Sequence, residues 1–86
     1  MSRHQKLIEK LLSFPRDFSY DELRTLLRRL GYQEMERGKT SGSRVAFYNP
    51  EARHIVRLHK PHPSKTLKKY QMEMVLEELR KSGALP

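Results

Sequence analysis

The chain has 86 residues, no cysteine and a formal net charge of +8, with 36% apolar residues and a mean hydropathy of −0.84. These values describe a single domain with one modest core and a large wetted surface. They exclude disulfides, a thiolate nucleophile and a cysteine-based zinc site, and no apolar run approaches the ~18 residues that cross a bilayer.

The first residues, Met1 to Lys6, have a basic start but no long apolar stretch and no small-residue cleavage site. No secretory signal is expected, and the cytoplasm is the default location. Leu7, Ile8, Leu11 and Leu12 recur at helical spacing and predict a helix over 3–13, an N-terminal extension of the domain that Pro15 ends or kinks. Ser19 and Glu22 fit a capping box. The helix that follows carries Leu23, Leu26, Leu27 and Leu30, and Gly31 is a suitable C′ residue. Strands are expected near Tyr32–Arg37, at Arg44–Asn49 and at His54–His59, with a loop at Gly38–Ser43 and a turn at Asn49–Arg53. Pro61 and Pro63 bar both a helix and a central strand. A last helix is predicted from about Lys68 to Lys81, with Met72, Val75, Leu76 and Leu79 on its core face and Gly83 as its stop. Leu67, Tyr70 and Met74 fall off that stripe and are candidates to meet a partner. The order α-α-β-β-β-α gives an α+β fold: a small three-stranded antiparallel sheet with helices on one face.

Between Arg37 and Lys69 nine basic residues face one acid, Glu51, and this surplus equals the whole net charge. A balanced scaffold with one concentrated positive surface is the footprint of a polyanion binder. Strand alternation sends Val45, Phe47, Val56 and Leu58 to the core. It leaves Arg44, Tyr48, Arg57 and His59 together on the exposed face or its rim. Cations around an aromatic on an open sheet suit a nucleic-acid surface; a solvated sheet face is the plainer account.

Gly38-Lys39-Thr40 imitates the end of a phosphate-binding P-loop. The required earlier glycine is Gln33, however, and strand formers follow where a helix is needed. The loop can still offer amides to a phosphate. His54, His59 and His62 invite a metal reading, but His54 and His59 face opposite sides of a strand and Glu51 is the only nearby carboxylate. No metal and no cofactor are expected. His59-Lys60-Pro61-His62-Pro63 is more specific. Two imidazoles on a proline-stiffened loop beside Lys60 and Lys65 can supply the base and the acid of metal-free RNA cleavage, with cations for the dianionic transition state. Histidines that only bind phosphate or solvent are the alternative.

Gly42-Ser43-Arg44-Val45-Ala46-Phe47-Tyr48, the later Arg57-Leu58-His59-Lys60-Pro61-His62-Pro63, and Leu67-Lys68-Lys69-Tyr70 together resemble the HicA family, the toxins of HicA–HicB toxin–antitoxin systems. The resemblance covers roughly Ser19 to Leu85. It implies a fold similar to the double-stranded-RNA-binding domain, activity as an mRNA interferase, and neutralisation by a HicB-like antitoxin protein. One departure stands out. The family pattern places its catalytic histidine after Gly-Ser, and Arg44 occupies that position here. An arginine stays protonated and cannot act as a general base.

The expected function is therefore an RNA-binding endoribonuclease toxin acting on mRNA. Arg44 would hold the scissile phosphate, His59 would be the base and His62 the acid, with Lys39, Lys60 and Lys65 stabilising charge. Ser43, Tyr48 and Arg57 complete the RNA-binding set. The rivals are a non-catalytic RNA-binding module of the same fold and a basic protein whose partner is an acidic protein. DNA is less favoured because the positive charge lies on strands and loops rather than on a recognition helix.

Overall fold

Helix α1 (Arg3–Leu12) ends where its sequence demands it. The αR conformation that would continue a helix is disfavoured before a proline, and Phe14, preceding Pro15, adopts a left-handed φ of 49°. In this computed structural model, which describes residues 3–36, 44–59 and 65–85, α1 packs on the next helix. Leu11 is fully buried, and Lys10 reaches both carboxylate oxygens of Glu22 at 2.9 and 3.1 Å.

Helix α2 (Tyr20–Arg29) opens on the expected capping box. The Glu22 amide donates to Ser19 Oγ and the Ser19 amide donates to Glu22 Oε1, each at 3.0 Å. Its C-terminus turns at Gly31, with φ at 97°. The Gly31 and Tyr32 amides bond back to the Arg28 and Leu27 carbonyls. A Cβ at Gly31 would lie 3.3 Å from Asn49 Nδ2, so the close approach reinforces the conformational demand. The same Asn49 closes the turn after the second strand. Its Oδ1 accepts from the Glu51 and Ala52 amides, and its Nδ2 donates to the Leu30 carbonyl.

The strands β1 (Gln33–Glu36), β2 (Arg44–Asn49) and β3 (His54–His59) form one antiparallel sheet in the order β1-β2-β3. β1 begins at Gln33 rather than Tyr32, because the buried Tyr32 spends its amide on closing α2; Arg37, also expected in this strand, and the expected loop at Gly38–Ser43 lie outside the described residues. Val45, Phe47, Val56 and Leu58 are buried on the inner face, against a core that includes Phe18, Leu23, Leu27 and Leu79, each with no exposed surface.

Helix α3 (Lys69–Lys81) buries the predicted stripe of Met72, Val75, Leu76 and Leu79. Of the three apolar residues that were candidates to meet a partner, only Tyr70 is exposed, at 65%. Leu67 belongs to the core, and Met74 packs partly buried against it. The reason lies outside helical periodicity. Leu67 precedes the helix and is drawn inward when its amide bonds the Phe18 carbonyl at 2.8 Å, beside a Ser19–Thr66 bridge.

Candidate nucleic-acid interface

Strand parity and register together build the outer face. Across β2 and β3 the outward pairs are Arg44 with His59, Ala46 with Arg57, and Tyr48 with Ile55; β1 adds Gln33 beside Tyr48 and Met35 beside Ala46. Directly opposed residues hold their Cβ atoms roughly 5 Å apart, and diagonal ones about 7–8 Å. Arg44, His59 and Arg57 thus form a compact exposed patch. Ala46, although it points outward, is only 3% exposed, because a methyl group lies low between the longer side chains of Met35 and Arg57. Further along, Tyr48 and Ile55 are half-buried and Met35 is exposed. The face grades from cationic at one end to aromatic and aliphatic at the other.

Among the described residues neither Arg44 nor Arg57 has an acidic partner. Several acids are occupied elsewhere. Glu22 is held by Lys10, while Glu34 takes the Arg24 guanidinium at 3.1 Å and the Tyr20 hydroxyl. Glu78 is shared by His54 and Lys81. Burial and the bond to Glu34 push the Tyr20 phenol up. Burial also acts to raise the Glu22 carboxyl, but the Ser19 amide and Lys10 outweigh it and hold the group below the usual carboxylate range.

The three candidate histidines do not form one site. His54 faces the helices, with Nδ1 2.7 Å from the Tyr32 hydroxyl and Nε2 3.0 Å from Glu78 Oε1. Tyr32 in turn donates to Ser82 Oγ, and Ser82 donates to the Leu79 carbonyl. Both His54 nitrogens are engaged in joining β3 to the end of α3, and its bond to Glu78 lowers that carboxyl's pKa. His59 lies on the opposite, exposed face. Among the described residues no three His, Asp or Glu side chains converge as metal ligands.

The structure therefore brings Arg44, Tyr48, Arg57 and His59 onto one face. Lys65 is exposed on the connection leading to α3, with a left-handed φ of 61° and its carbonyl accepting from the Tyr20 amide. Lys39, Ser43, Lys60 and His62 lie outside the described residues. The register nevertheless places Glu36, Arg44 and His59, the residues flanking those segments, at the same end of the sheet.

Sequence reasoning overlooked Gln71. It is 5% exposed, donates from Nε2 to the His59 carbonyl and accepts at Oε1 from the Lys68 amide, both at 3.0 Å. The available signal was its place as third residue of α3, where a glutamine often turns back to the helix start.

A family model described as the HicA toxin of bacterial toxin–antitoxin systems matches residues 20–82. The match starts with α2 and ends one residue beyond α3, leaving α1 outside it. No curated protein and no solved structure matches the chain. Among the described residues no helix is long and apolar enough to cross a membrane.

Proposed function

The chain belongs to the HicA toxin family, whose members are paired with a cognate antitoxin, and from that premise we propose that it is a metal-independent endoribonuclease that binds and cleaves mRNA in the cytoplasm. The antitoxin is proposed to be a HicB-like protein. The observation that carries this reading is the direct cross-strand pairing of Arg44 with His59 on an exposed face whose arginines lack acidic partners among the described residues.

In this proposal Arg44 and Arg57 bind adjacent phosphates, and Tyr48 offers a stacking surface. His59 removes the proton from the ribose 2′-OH, and that oxygen attacks the neighbouring phosphorus. The P–O5′ bond breaks as His62 delivers a proton to the leaving oxygen. The products are a 2′,3′-cyclic phosphate and a 5′-hydroxyl, and no redox partner is required. Arg44 stabilises the charge that grows on the phosphorane oxygens, aided by Lys39, Lys60 and Lys65. Arginine where the family carries its catalytic histidine fits this division of labour. A permanent cation can hold phosphate, and the proton transfer passes to a neighbour.

The test uses a purified chain and an end-labelled single-stranded RNA. His59→Ala should lower cleavage by about 10²–10⁴-fold while binding changes little, and it should relieve growth arrest. Arg44→Ala should weaken binding and rate together. If His59→Ala and His62→Ala both cleave and arrest growth like the parent, the histidine assignment is wrong. RNA binding without cleavage in the parent itself would establish the binding-module alternative.

A further inference from the structure

Among the described residues β3 is an edge strand, hydrogen-bonded in the sheet only to β2. It ends at His59, just before a segment containing Pro61 and Pro63, residues with no amide to donate. The side chain of Gln71, from α3, reaches this strand end. Its two hydrogen bonds do different work. The bond accepted from the Lys68 amide closes the first turn of α3. The bond donated to the His59 carbonyl contributes nothing to the helix; it fixes the last peptide of β3. A buried amide that satisfies two main-chain groups at once is strongly constrained. The direction in which the His59 ring leaves the sheet follows from the backbone it is attached to.

We infer that Gln71 is a positioning residue for the proposed cleavage: its donated bond holds the end of β3 so that the His59 imidazole stays opposite Arg44. This rests on the assignment of His59 as the base. Gln71 does not touch the substrate; it acts through the strand end. A shift of about 1 Å in a catalytic group can cost on the order of 10²-fold in rate, so one peptide held or released is enough to matter.

Gln71→Glu separates the two bonds. The carboxylate keeps an oxygen for the Lys68 amide and places negative charge at a helix N-terminus, where it is favourable. The donor to the His59 carbonyl is lost, and two oxygens then face each other. Expected is a protein that melts close to the parent and binds single-stranded RNA with little change in KM, but with kcat lower by about 10–100-fold. In a His59→Ala background the same substitution should slow cleavage no further, since its effect passes through His59. Gln71→Met, which keeps length and volume but makes neither bond, supplies the deciding measurement if Gln71→Glu fails to fold; its rate per folded molecule should fall comparably. Parental kcat in either folded variant overturns the inference. So does a Gln71→Glu penalty of equal size with and without His59. Failure of the underlying assignment looks different: His59→Ala alone would then cleave at the parental rate.

Discussion

Neutralising the exposed arginines of the sheet tests the electrostatic reading where its magnitude can be worked out. Arg44→Gln and Arg57→Gln remove two cations that lack acidic partners among the described residues, so no carboxylate is left stranded. Exposed substitutions of this kind shift folding stability by only about 0.5 kcal/mol. For a single-stranded nucleic acid each neutralised phosphate contributes a slope of about −0.7 to log K against log salt. Losing two contacts should flatten the line by about 1.4. Near 0.1 M salt each contact is worth roughly a factor of five, and the pair about 25-fold in affinity. Fluorescence anisotropy with a labelled single-stranded RNA, titrated at several salt concentrations, measures both quantities. Parallel salt lines for the parent and the double variant would refute the assignment of this face, even if affinity had fallen for another reason.

Cleavage should persist in excess chelator, because the basic stretch Arg37–Lys69 carries a single carboxylate, Glu51, where a magnesium site needs several; activity lost with chelator and restored by magnesium, with the RNA fold unchanged, would contradict this. Leu11→Ala should cost about 2–5 kcal/mol in urea unfolding, since the side chain is wholly buried in the shared core although α1 lies outside the family match. A negligible cost would mean that α1 is not part of the cooperative unit. Stability should also fall at acid pH. Glu22 and Glu78 are held below the usual glutamate range, so the unfolded chain binds protons first on acidification; their contribution is present above that range and is lost as pH drops through the lower folded values. Melting curves for the parent and for Glu22→Gln with Glu78→Gln should converge as the pH is lowered.

Much of this architecture is written in local chemistry. Ser19 and Glu22 specify the start of α2 because their reciprocal bonds involve residues three apart. Alternation alone assigns Arg44, Arg57 and His59 to one side of the sheet, since consecutive side chains in a strand must point to opposite faces. Leu67 shows where such reasoning stops. Helical periodicity placed it off the core stripe, yet a main-chain bond to Phe18, distant in sequence, buries it. His54 was a candidate ligand by residue type; its parity with Val56 and Leu58 already turned it inward, and only the arrival of Tyr32 and Glu78 from other elements made it a structural bridge.

The sequence by itself determined the excess of cations, the element order and the parity of each strand, because charge and period are properties of neighbours along the chain. Only the tertiary structure decided that Arg44 stands directly opposite His59 and that Gln71 grips the strand end beside them. Register and helix–strand contacts depend on how separate segments pack around a common core, and a one-residue slip would have sent the same side chains to the other face.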